Sequence, residues 1–245
     1  MPAILSATHT LRISQTDLSV LPTPAPTRTW KPVRHIDVVT AVRTAVERRQ
    51  WSFKNTDSKF DLAVNREGTR MFGVAEVVIP GLDTDPEFGI AIGFRNSHDQ
   101  STALRIAVGA NVFVCDNMMF KGGMQVRRIH TGGIDPHESA EIAFANLPEL
   151  AASTTRQLQA LRERPLTFDE GIALLATAVE RQALRLCDFM AARKAYLDAG
   201  LEGSQIAHPL TRWAVYQAVT ASYKQHDRLL LPAYNAKLNE LFKIN

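Results

Sequence analysis

The sequence predicts an α+β fold: an antiparallel five- or six-stranded sheet in the first half of the chain, covered by a helical second half. Three observations carry this. Between Phe60 and Ile129 apolar residues recur at every second position, as they do in half-buried strands. From about residue 137 onward they recur at helical spacing. The strand-like segments also follow one another through short connections instead of alternating with helices, which argues for antiparallel pairing and against βαβ units.

Taken in order, residues 1–34 show no sustained period. Pro22, Pro24, Pro26 and Pro32 remove backbone donors and push the residues before them toward extended conformations. This stretch reads as an extended arm, suited to lying on a neighbouring subunit of a homo-oligomer. Residues 35–245 then read as a single domain, with its sheet over about 58–130 and its helices over about 137–243.

Val39, Val42, Ala45 and Val46 mark one face of a first helix over 35–50, whose Arg-rich end suits the carboxyl-terminal dipole. Trp51 and Phe53 follow as anchors to the core. Phe60, Leu62 and Val64 alternate with polar residues, 65–68 is a turn, and 69–79 completes a hairpin. Phe88, Ile90, Ile92 and Phe94 alternate with Gly89, Ala91 and Gly93, a strand with one bulky and one bare face, open either to a close neighbour or to a bulge. Strands over 104–108, 112–118 and 124–129 complete the sheet, with turns expected at 109–111 and at 121–123.

Beyond residue 133 the pattern is helical. Leu147, Leu150, Ala151, Leu158 and Leu161 share a face, with Pro148 tolerated in the first turn. Thr167 and Glu170 have the spacing of a capping box. Further helices are expected over 182–197, 208–224 and 233–242.

The totals suit a soluble globular protein: 245 residues, 45% hydrophobic and 22% charged, enough chain for a substantial core. No apolar run approaches the roughly 20 residues of a membrane helix, and residues 1–10 lack a secretory pattern, so the expected location is the cytoplasm. Two cysteines, Cys115 and Cys187, do not make a disulfide framework and are expected as partly buried thiols. From Arg28 to Arg70 there are ten Lys or Arg against five acids. That basic front suits either a solvated surface or a phosphate-binding face.

Two stretches carry a family resemblance. The first is Gly93-Phe94-Arg95-Asn96-Ser97-His98-Asp99 through Ser101, then Ala103-Leu104-Arg105 and Val112 to Asn117. The second is Arg212-Trp213, Tyr216-Gln217-Ala218 and Thr220. Over about residues 59–242 the chain resembles the phage/plasmid-like family catalogued as domain of unknown function 932, with Gln217 where that family's pattern has asparagine. The resemblance implies a protein carried by phages, plasmids or genomic islands, and transfers no catalytic residues.

The residues themselves offer several chemistries. Lys59, Arg66, Arg70, Arg95, Lys121, Arg127 and Arg128 are the candidate nucleic-acid contacts, since phosphate affinity accumulates from Lys and Arg charge. Phe72, Phe94 and Phe120 are either stacking surfaces or core. Asn96, Ser97, His98, Asp99, Cys115, Asp116 and Asn117 form a second candidate cluster. Read as chemistry, it holds a thiol, a base and an orienter; read as structure, two side-chain-bonded turns. No short-spaced ligand pair calls for a metal, and no motif calls for a cofactor. The leading expectation is a non-enzymatic nucleic-acid-binding protein of a mobile element, acting on single strands in replication, recombination or maintenance. The alternatives are a host-protein-binding anti-defence protein, and a hydrolase or nuclease centred on Arg95 to Asp99 with Cys115.

Overall fold

The computed structural model describes residues 10–55, 59–82, 88–112, 117–132, 134–202, 204, 206, 208–223 and 231–244, with side chains for all of these but 10, 88, 110–112, 117–125 and 231–233. Two compact units divide the chain. The first holds residues 1–84, 89–110 and 123–149; the second holds 85–88, 111–122 and 150–245.

The strands are β1 (Thr10–Arg12), β2 (Ser52–Phe53), β3 (Asp61–Asn65), β4 (Arg70–Val78), β5 (Phe88–Ser97), β6 (Leu104–Val112) and β7 (Asn117–Arg128), all in the first unit apart from Phe88, 111–112 and 117–122. Six lie along one path, β1-β3-β4-β5-β6-β7, and the two-residue β2 pairs with β4 beyond the end of β3. The expected α+β class holds, and the strand at each margin of the count comes from a segment too short to show a period. Gly68, at φ +68°, closes the β3–β4 turn with its N–H on the Asn65 carbonyl. That left-handed conformation is one glycine adopts without strain.

Helix α1 (Gln15–Val20) and helix α2 (His35–Arg48) belong to this unit, with α3 (Pro136–Phe144) packed on α2. Val38, Val39, Val42 and Val46 on α2 are fully buried, each contributing on the order of 1.5–3 kcal/mol by leaving water. Helix α2 touches β4. Its His35 bonds Asn96, so Asn96 and its alternate neighbours Phe94 and Ile92 point to the α2 side, together with their cross-strand partners Met71, Gly73 and Ala75. Trp51 and Phe53 are buried as expected.

Residues 10–34 do not stand off as an arm. Strand β1 pairs with β3, Leu18 of α1 is buried, and the Lys31 N–H donates to the His130 carbonyl at 2.8 Å. Two other expectations are corrected. The turns placed at 109–111 and 121–123 do not form, because β6 continues through Gly109 and β7 through Gly122. Glycine only weakens a strand when its neighbours keep the pleat; the connection between β6 and β7, residues 113–116, lies outside the described residues.

The second unit contains most of α4 (Leu147–Arg162), then α5 (Phe168–Glu180), a 3₁₀ turn (Leu186–Asp188), α6 (Phe189–Leu197), α7 (Arg212–Ser222) and α8 (Leu231–Phe242). The capping box is present, with the Thr167 N–H on the Glu170 carboxylate at 2.7 Å and the Glu170 N–H on Thr167 Oγ1 at 3.3 Å. Every residue of α7 from Trp213 to Thr220 is buried, as befits a helix with little charge on any face. Trp213 stacks on Tyr216, which meets the edge of Phe242 and donates its hydroxyl to Asn239 at 3.2 Å. The second family-like stretch is therefore the core helix of this unit. Cys187 is a free, exposed thiol, not a part-buried one, because it falls on the outward side of the 3₁₀ turn; Cys115 lies outside the described residues.

Candidate functional site

The strand register lays out the sheet face turned away from α2. Arg12 pairs with Ala63, Ala63 with Phe72, and Phe72 with Arg95. These four residues form a straight cross-strand row. Along β6, Leu104, Ile106 and Val108 are buried while Arg105 and Ala107 between them are partly open, so Arg105 shares the face of Arg95. The exposed Arg127 lies on β7. Arg105 and Arg127 both stand close enough to depress the Arg95 guanidinium pKa, after burial, which is the larger cause. Three guanidiniums thus stand on three adjacent strands, near enough for Arg105 and Arg127 to act on Arg95.

Like charges on neighbouring strands oppose folding. Among the described residues no carboxylate pairs with Arg95, Arg105 or Arg127, and the Nε atoms of Arg95 and Arg105 are buried without a hydrogen-bond partner. Among the described residues this concentration of positive charge has no carboxylate partner. The half-buried Phe72 lies in the same row, while Phe94 is core on the opposite face.

The other residues expected to contact nucleic acid are placed differently. Lys59 pairs with Glu47 at 3.5 Å and lies over the Phe53 ring. Arg70 shares the Arg95 face, opposite Ser97, but its Nε is held by Asp99 at 2.6 Å. Arg66 is exposed in the β3–β4 turn, and Arg128 is exposed one residue beyond Arg127, on the alternate side of the strand. Lys121 is on β7 with its side chain outside the described set. Arg105 was absent from the expected contacts. Its signal was the charged residue within the apolar alternation of Leu104 to Val108.

The second candidate cluster divides. Asp99 accepts from the Ser101 N–H at 3.0 Å and from its hydroxyl, and Ser97 Oγ exchanges bonds with the backbone of Thr102. These are turn-forming bonds. Asn96 and His98 instead enter a buried network. Asn96 Nδ2 donates to the Val33 carbonyl at 2.7 Å and to His35 Nδ1 at 2.9 Å, and Asn96 Oδ1 accepts from His130 Nε2 at 2.8 Å. His98 Nε2 donates to the same Val33 carbonyl at 2.9 Å. The His35 and His98 rings stack with centroids 3.7 Å apart.

Burial lowers the pKa of all three histidines. For His35, desolvation and then the neighbouring His98 bring it to about 3. His98 is lowered by desolvation against the opposing carbonyls of Val33 and Pro22, and His130 by desolvation and then His98. Burial raises the Asp99 carboxyl, but bonds from Ser101 and Arg70 outweigh that and hold it at about 2.

His98 and Asp99 thus serve different partners and do not form a base and its orienter. The hairpin through Gly109 that would have carried Asp116 and Asn117 back beside Asp99 does not form. Cys115 and Asp116 lie outside the described residues, and Asn117 opens β7. Among the described residues no group of three or more His, Cys, Asp or Glu is arranged to hold a metal ion, because the inward histidine nitrogens are spent on hydrogen bonds. No described helix is long and apolar enough to cross a membrane.

Fold and site together define the class: an α+β protein of two units whose antiparallel sheet carries a cluster of arginines on neighbouring strands. The chain belongs to the family described as Domain of unknown function (DUF932), whose model matches residues 25–241. No curated protein and no solved structure matches the chain.

Proposed function

We propose that the sheet face carrying Arg95, Arg105 and Arg127 binds the phosphate backbone of nucleic acid without catalysing its cleavage, in the replication, recombination or maintenance of a mobile element. The observation that supports this is the arginine trio, which has no carboxylate partner among the described residues: a phosphate strand supplies negative charge there. Guanidinium forks suit phosphate oxygens, and each carries five N–H donors. Phe72 in the same row offers a ring for a base, which favours a single strand over a duplex.

The test is fluorescence anisotropy of labelled single-stranded and duplex DNA across a salt series. Binding should weaken with salt, and the triple variant Arg95→Gln, Arg105→Gln, Arg127→Gln should flatten the log–log slope by about 2, at roughly 0.7 per phosphate contact on a single strand. Absence of binding at low salt, or an unchanged slope in a folded variant, refutes the reading.

A second reading rests on the helical unit. Leu186, Met190 and Leu197 are exposed large apolar residues of the 3₁₀ turn and α6, at spacings of four and seven. Such a stripe suits a host-protein partner. Charged substitutions at Leu186 and Met190 would abolish that association and leave DNA binding intact.

A further inference from the structure

Two histidines from distant parts of the chain, His35 and His130, meet on the Asn96 side-chain amide, a third, His98, shares the Val33 carbonyl with that amide, and the acceptors present set the direction of these bonds. Val33 O is an acceptor only, so both Asn96 Nδ2 and His98 Nε2 must donate to it. The second Asn96 Nδ2 hydrogen then points at His35 Nδ1, which must be unprotonated to accept it. His35 is left as the neutral tautomer with its proton on Nε2, facing the Gly68 carbonyl at 3.3 Å. Rotating the Asn96 amide by half a turn does not accommodate a protonated His35, because it would set Asn96 Oδ1 against Val33 O and Nδ2 against the His130 donor. The His35 ring also lies flat on His98 at 3.7 Å, where two imidazolium charges would repel.

What these bonds hold is the segment entering α2. Val33 is the shared acceptor, the Lys31 N–H is on the His130 carbonyl at 2.8 Å, and Trp30 packs near the His130 ring. We propose that His35, His98 and His130 form a proton-operated latch that fastens residues 30–35 to the end of the sheet when neutral and frees them on acidification.

Burial outweighs the groups that favour the protonated rings, which at His98 include the carbonyls of Val33 and Pro22. Asp99 on the sheet side also favours protonation, but Asp99 is already engaged by Arg70 and Ser101. On the segment itself stand Lys31, whose side chain lies by Gly132, and Arg34, paired with Asp37 at 3.9 Å. Glu67, in the turn beside Gly68, is bonded by Asn65. The sign follows from linkage: the latched state binds fewer protons than the released one, so latching weakens as pH falls below the ordinary histidine value of about 6.5.

The test is hydrogen exchange with mass spectrometry on the full chain from about pH 7.5 to about pH 4.5, with rates corrected for the intrinsic pH dependence. Protection of the peptide containing Lys31 should fall at least tenfold per pH unit below about 6.5, one decade for each histidine that titrates on release, while peptides from α7 keep theirs. Unchanged protection of the Lys31 peptide, or loss in step with α7, overturns the latch. His98→Gln, which keeps a donor for Val33 without a titrating ring, should lower that slope by one decade. If the variant fails to fold, nitrogen-15 histidine spectra of the wild type decide: resonances titrating near 6.5 while the segment stays protected overturn the proposal.

Discussion

Replacing Arg95 by methionine should make the protein more stable and a poorer ligand for phosphate. Arg95 is half-buried on β5, its Nε is sealed without an acceptor, and Arg105 and Arg127 repel it. Methionine keeps the length and the apolar stem, so the row stays packed. Two like-charge neighbours on adjacent strands cost about 0.2–1 kcal/mol each. The orphaned Nε adds about 1 kcal/mol, and partial exposure screens part of the total. The net expectation is a stabilisation of about 1–2 kcal/mol, measured by urea unfolding with the m-value unchanged. Because about half of it is charge repulsion, the gain should shrink between about 0.02 M and about 0.5 M salt. Added pyrophosphate should stabilise the wild type more than the variant, since only the wild type retains the full site. Arg128→Met, one residue beyond the trio, should change stability by less than about 0.5 kcal/mol. An Arg95→Met protein less stable than the wild type, or equally stabilised by pyrophosphate, would refute the view that this face stores uncompensated charge for an anion.

Two further outcomes test the structure around the site. Gly73→Ala would ordinarily strengthen a strand, yet a Cβ there would stand 2.1 Å from Phe94 Cε2 and 2.9 Å from Leu62 Cδ2. Denaturant unfolding should show a net loss of about 1–3 kcal/mol, recovered in part by Phe94→Leu, and equal or greater stability of the single variant would contradict the close pairing. Acid titration of stability should show two windows. The neutral histidines withdraw stability as pH falls from about 6.5 toward 3, and Asp99, held at about 2, withdraws its smaller share between its ordinary 3.8 and 2. Asp99→Asn should erase only the lower window and cost less than about 1 kcal/mol, as an exposed pair does; loss of the upper window in that variant would show that Asp99 governs the histidines.

The sequence by itself determined what depends on near neighbours. Alternation over Leu104 to Val108 marked a strand because successive side chains take opposite faces, and Thr167 with Glu170 marked a helix start because both bonds close within one turn. A helix was expected over 208–224, and packing made its Trp213 to Thr220 stretch the core of its unit. The same local logic misread Gly109 and Gly122 as turns, since glycine permits a turn and a pleat alike and only the partner strand decides between them. The tertiary structure alone decided which distant residues meet. Arg95, Arg105 and Arg127 became a cluster because strand pairing brings β5, β6 and β7 side by side, which leaves no period within any one of them. His35, His98 and His130 looked like separate residues of a helix start, a loop and a strand end. They became one network because the fold brings His35 and His130 to the Asn96 amide and His98 to the Val33 carbonyl that this amide also bonds, and burial there supplies the desolvation that keeps them neutral.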